Sequence, residues 1–183
     1  MAYQNKIIVN SKTGQQIKFI KTAKDTNGNL LEMESTFAPH SKKPAAHYHP
    51  AQEEDFEVLR GSITVKINGE QKVLKQGDHL HIPASKVHAM WNASDEITVV
   101  NWKVQPALNT EVLFETVTDL ANDGKTNENG IPGFLQLALL MNKYAGVYRP
   151  AFPPYVIQKI VFGMFAPIAG LAGYKASYKA YPD

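Results

Sequence analysis

The sequence contains no cysteine, which excludes disulfides, thiolate metal ligands and cysteine nucleophiles. Arginine is almost as scarce, with Arg60 and Arg149 the two in the chain. A multiply charged substrate ordinarily calls for a buried guanidinium fork. Sugar nucleotides and dicarboxylates are therefore disfavoured, and a small, neutral or singly charged ligand is expected. Long blocks of one charge are missing too: 19 basic and 17 acidic side chains are interspersed for a formal net charge of +2. That balance offers no footprint for nucleic acid. No apolar run of signal-peptide length follows the start, since Ile7-Ile8-Val9 gives way to Asn10-Ser11-Lys12. The expected compartment is the cytoplasm.

What the chain does have is enough apolar residue, 44% of 183, to build a core for one domain. Up to about Gln105 the pattern is of short strands separated by Gly, Asn and Pro turns. Ile7 to Val9, Gln16 to Ile20, Ile63 to Ile67, Gln71 to Leu74 and Ile97 to Val104 read as strands, with turns at Thr13-Gly14, Asn27-Gly28 and Asn68-Gly69. Leu31, Met33, Ser35 and Phe37 alternate with polar residues and predict a half-buried strand ended by Pro39. Many short strands of this kind argue for a sandwich or barrel.

The residues that carry chemistry lie between His47 and Asn92. Side chains two apart on a strand share a face, so His47 and His49 present two imidazoles to one side. Glu54 opens the following strand and is the natural third ligand, with Glu53 as a substitute if the intervening loop is tighter. His88, after the turns around Gly77 and Pro83, is the expected fourth. Three imidazoles and one carboxylate suit a single divalent transition metal, and Fe, Mn, Ni, Zn and Cu all remain open.

These two stretches resemble the paired motifs of the cupin superfamily, G-x5-H-x-H-x3,4-E-x6-G and G-x5-P-x-G-x2-H-x3-N. His47, His49, Glu54 and Gly61 match the first; Gly77, Pro83, His88 and Asn92 match the second. Ser41 and Ser85 stand where the motifs have Gly. The resemblance implies a mainly β, antiparallel double-stranded barrel of jelly-roll type over residues 1–105, binding a metal through His47, His49, Glu54 and His88. It also implies a homodimer, since similar single-barrel cupins pair through sheet edges. Oxygenases, isomerases and non-catalytic binding or sensor proteins share this fold. The expectation is a metal-dependent dioxygenase acting on a small organic molecule, with an isomerase and a non-catalytic sensor as alternatives, and with no further catalytic residue assigned. By alternation, Met33, Ser35, Phe37, Phe56, Val58, Met90 and Trp102 are the pocket-lining candidates. His79 and His81 read as outer-face residues, and His40 as exposed.

From residue 106 to 183 the period changes to helical, giving a C-terminal extension. Thr110 to Ala121 predicts a helix stopped at Asn122-Asp123-Gly124. Phe134 to Ala145 is a second, apolar almost all round. Val156 to Ala172 is a third, interrupted by Gly163, Pro167 and Gly170 and short of the roughly 20 residues a membrane span needs. The extension is expected to pack on the barrel or on a dimer partner, with membrane contact of its last helix the less favoured alternative.

Overall fold

The computed structural model describes residues 1–177; the last six residues of the expected extension lie outside the described residues. Ten strands precede the first helix: β1 (Ile7–Val9), β2 (Gln16–Lys21), β3 (Leu31–Phe37), β4 (His47–Tyr48), β5 (Glu53–Arg60), β6 (Ser62–Ile67), β7 (Glu70–Lys75), β8 (His79–Ile82), β9 (His88–Trp91) and β10 (Thr98–Gln105). Helices α1 (Thr110–Asn122) and α2 (Phe134–Lys143), a short strand β11 (Arg149–Pro150) and helix α3 (Tyr155–Leu171) follow. The strands form two antiparallel sheets ordered β1-β2-β3-β10-β5-β8 and β11-β4-β9-β6-β7. This is the mainly β, jelly-roll architecture with a helical tail that the sequence predicts.

Alternation decides which side chains fill the barrel. Along β3 every second residue, from Leu31 to Phe37, is buried, because period two puts one face on the core. One buried cluster joins the sheets directly, with Phe37, Phe56, Val58 and Val100 from the first meeting Ile63 and Val65 from the second. Each such side chain removed from water contributes about 1.5–3 kcal/mol. A second cluster, around Phe19, Leu31, Met33 and Val104, continues along the same face of β3 and receives Phe114 of α1. The edge strand β7 is mostly exposed and carries Glu70, Lys72 and Lys75, charges that discourage further strand addition.

Two family glycines are replaced by serine, and the chain handles each differently. Ser85 adopts φ +64, the left-handed region that ordinarily favours Gly, and its N–H donates to the His49 carbonyl at 2.8 Å. Ser41 needs no such backbone; its Oγ accepts from the Asn92 N–H at 2.8 Å, a contact Gly could not make.

The helices do not form a separate layer. On α1, Glu111 Oε2 accepts from the Ala23 N–H at 2.9 Å, and Gln52 Nε2, between β4 and β5, donates to Thr110 Oγ1 at 2.7 Å. Leu113 and Leu120 of α1 then pack with Leu140, Met141 and Tyr144 of the α2 region and Val147. Helix α3 packs against α2 and runs unbroken from Tyr155 to Leu171 with Pro167 inside it. The expected interruptions at Gly163, Pro167 and Gly170 are absent because Ala166 and Ala169 are buried, and that packing outweighs the helix cost of proline.

Candidate metal centre

Strand β4 is only two residues long, so His49 lies just past its end and not on a continuing strand as expected. The rings nevertheless converge, because β4 pairs with β9 at His47↔His88. Ring centroids are 4.4 Å apart for His47 and His88, 5.3 Å for His47 and His49, and 5.4 Å for His49 and His88. One ligating atom from each histidine lies within 4.8 Å of the other two.

The tautomers follow from the hydrogen bonds. His47 Nδ1 lies 3.0 Å from the Ala45 carbonyl, His88 Nδ1 3.0 Å from that of Lys86, and His49 Nδ1 2.6 Å from that of Val147. A carbonyl only accepts, so each Nδ1 carries a proton and each ring turns its Nε2 into the cage, where it offers a lone pair whenever the ring is neutral. His49 Nε2 is buried with no hydrogen-bond partner, which is the arrangement a cation would satisfy.

Glu54 enters from β5, with Oε1 3.4 Å from His49 Nε2 and Oε2 3.0 Å from His88 Nε2. Trp102 Nε1 donates to Oε1 at 3.0 Å, fixing the carboxylate plane. Burial pushes the Glu54 carboxyl up, but the close approach of His88 and the neighbouring imidazoles outweigh it and hold it below its usual range. For His88, burial pulls downward and Glu54 raises it to a net upward shift. Burial, with the neighbouring imidazoles, drives His47 down to about 3, so it stays neutral and able to ligate across the physiological range. Glu53 is exposed, leaving Glu54 as the carboxylate at the site.

The pocket-lining candidates divide. Trp102 touches the site through Glu54, and its ring stacks on Phe56 with centroids 5.4 Å apart. Phe37, Phe56 and Val58 belong to the cluster between the sheets, with Met90 packed against it. Met33 sits in the other cluster, beside Phe19. Ser35 is fully buried and its Oγ accepts from Gln15 Nε2 at 2.8 Å. Outside the centre, His81 Nδ1 meets Asp55 at 2.8 Å, a partner supplied across the ladder by the Asp55↔His81 register. His40 pairs with Asp95 at 2.8 Å on the surface.

The C-terminal extension contributes what the motif spacing does not reveal. Strand β11 adds to β4 by pairing Arg149 with Tyr48 and Pro150 with His47. That places the Val147 carbonyl on His49 and lays the Tyr148 ring over His47, with centroids 4.7 Å apart and planes 26° from parallel. Burial pushes the Tyr148 hydroxyl up to about 12, so it remains protonated. A strap from the tail thus orients two of the three histidines.

Barrel, paired motifs and histidine cluster together define a class. Residues 33–102 match the family model of the cupin domain, so this stretch of the chain is a cupin domain. The fold is similar to that of an RmlC-like cupin from Shewanella frigidimarina, with TM-score 0.50 and 20% identity over 61% of this chain and 93% of that one. A predicted oxalate decarboxylase from Thermotoga maritima gives TM-score 0.50 at 16% identity, covering 58% of this chain and 99% of that one. Among characterised sequences, the chain is 33% identical over 108 residues to a quercetin 2,3-dioxygenase of Bacillus subtilis, 58% of this chain but 31% of the relative. It is 28% identical over 148 residues to the probable oxidoreductase virH of Hypocrea virens, 75% of this chain and 67% of the relative. The chain therefore spans about a third of the first relative's length and about two thirds of the second's. No helix among the described residues is long and apolar enough to cross a membrane.

Proposed function

We propose that this cupin is a metal-dependent dioxygenase acting on a small, electron-rich, neutral or singly charged organic molecule. The observation that carries the reading is the set of three imidazoles whose Nδ1 protons are all committed to carbonyls, leaving Nε2 of each for one ion. Glu54 is the fourth ligand in this reading. A divalent Fe, Mn, Ni, Zn or Cu bound there would supply Lewis acidity, and the redox-active ions a route for electrons from substrate to dioxygen. The names of the relatives, a quercetin 2,3-dioxygenase and a probable oxidoreductase, favour that route over isomerisation.

The chain's own residues set the rest. Glu54 Oε2 is buried without a hydrogen bond, so it is placed to take a proton from an acidic substrate hydroxyl while Trp102 holds Oε1. No guanidinium approaches the cage: Arg60 is exposed, and half-buried Arg149 turns towards the Ala145 carbonyl and the Tyr155 ring at the start of α3. This supports a ligand of low charge. The test is oxygen uptake by protein reconstituted separately with each metal, using a flavonol and simpler enols as substrates. Uptake with one metal, lost in His49→Ala, supports the dioxygenase; binding of the same compounds without uptake under any metal would replace it with the sensor reading.

A further inference from the structure

The last helix presents an apolar face that nothing among the described residues covers. At about 100° per residue, Val156, Ile160, Met164, Pro167 and Leu171 fall on one side of α3, with Ile157 and Ile168 beside them. Ile160 is 65% exposed, Met164 56% and Leu171 91%, and Phe152 just before the helix is 83% exposed. The opposite side, with Gln158, Ala166 and Ala169, is the buried one. Phe162 and Phe165 also turn inward, onto the helical cluster and Phe134, so α3 carries large apolar side chains on both sides, more than a helix packed only for the stability of its own domain requires.

Charge says what covers it. Between Asn129 and Pro182 the sequence has no acidic residue, while Lys143, Arg149, Lys159, Lys175 and Lys179 are all basic. Residues 1–128 hold the remaining 14 basic and 16 acidic side chains, by subtraction of this segment and Asp183 from 19 and 17. The chain is therefore divided into a slightly acidic body and a cationic tail. Lys159 borders the exposed face of α3, and beside it Arg149 and Lys159 line one cleft together with Asn142 and Tyr155. An outward apolar stripe with Lys159 at its edge, Arg149 beside its first turn and aromatic rings at its start suits a helix lying in a membrane interface.

A second copy of the chain fits less well. Pairing two α3 faces would bring Lys159 and Arg149 of both copies to one seam, with no carboxylate in residues 129–177 to meet them. We propose that α3 docks this protein onto an anionic lipid surface, with Val156, Ile160, Met164 and Leu171 entering the acyl boundary and Lys159 and Arg149 at the headgroups.

The full-length protein would be mixed with phosphatidylcholine vesicles, with and without phosphatidylglycerol, and the bound fraction read by flotation. Binding should favour the anionic vesicles and weaken with salt. Ile160→Glu/Met164→Glu, both at exposed positions, should lower partitioning about a hundredfold with the melting temperature and metal content kept. Lys159→Gln should lower it about fivefold on anionic vesicles and leave neutral ones unchanged. Absence of binding to either vesicle overturns the proposal. So does a dimer, seen by light scattering, that the double variant dissociates while wild-type protein ignores lipid; vesicle binding that the double variant retains does the same. Oxygen uptake plays no part in these readouts, so failure here leaves the proposed reaction standing.

Discussion

Replacing His49 by alanine separates two jobs that one imidazole performs. Its Nε2 faces the cage without a partner, and its Nδ1 holds the Val147 carbonyl at 2.6 Å. A ligand that binds only the folded state at a hundred times its dissociation constant stabilises by about 2.7 kcal/mol. For a chain of this size each kcal/mol shifts the melting temperature by about 2–4 °C, so saturating metal should raise the wild-type midpoint by about 5–11 °C. In His49→Ala that increment should vanish. The metal-free variant should also melt lower than metal-free wild type, because leaving the buried Val147 carbonyl unpaired costs about 1–3 kcal/mol. His47→Ala is the control, since it removes a ligand while leaving Val147 engaged; it should lose the metal increment with a smaller metal-free penalty. The assay is thermal unfolding with and without chelator, alongside elemental analysis. A metal-induced shift of equal size in wild type and both variants would show that the ion binds elsewhere.

Three other outcomes follow from the same geometry. Tyr148→Ala should weaken metal affinity about 10–100-fold by titration, whereas Tyr148→Phe, which keeps the ring on His47, should stay near wild type; equal losses would mean that stacking is not what orients His47. Gly61→Ala should destabilise by about 2 kcal/mol or more in denaturant unfolding, because Gly61 has φ +75 and a Cβ there would sit 2.8 Å from the Ile97 carbonyl; an unchanged midpoint would refute this. Glu111 is raised above the usual carboxylate range, by burial first and then by Glu115 and Asp25, so its folded form binds more protons than its unfolded form and stability falls as pH rises through that window. Glu111→Gln should therefore melt higher than wild type at neutral pH and lose that advantage in acid below the ordinary glutamate range; a gain independent of pH would contradict the charge argument.

The candidate ligands stood out in the sequence because metal chemistry asks for those residue types at close spacing. His47, His49, Glu54 and His88 stand at the motif intervals, although the strand alternation expected for the first two ends at Tyr48 and the rings are brought together by the pairing of β4 with β9. The barrel was legible for a similar reason: alternation along β3 maps directly onto its burial. The strap was not. A backbone carbonyl such as that of Val147 can be offered by any residue, so the sequence carries no mark of its role, and His49 lies 98 positions away. Likewise the apolar period of α3 was visible, but periodicity does not say which side meets the protein; the burial of Gln158, Ala166 and Ala169 settles that. His81 is a third case, since its partner Asp55 depends on ladder register.

The pairing of β11 with β4 also bears on the order in which the protein can be made. A chain emerging from the ribosome presents His47, His49, Glu54 and His88 well before Val147 and Tyr148 are synthesised. Until they arrive, sheet β11-β4-β9-β6-β7 lacks an edge strand, the His49 ring is free to turn, and any ion captured sits in an unlocked cage. The proposed metal cage is therefore complete only once the last third of the chain has been made and β11 has joined β4.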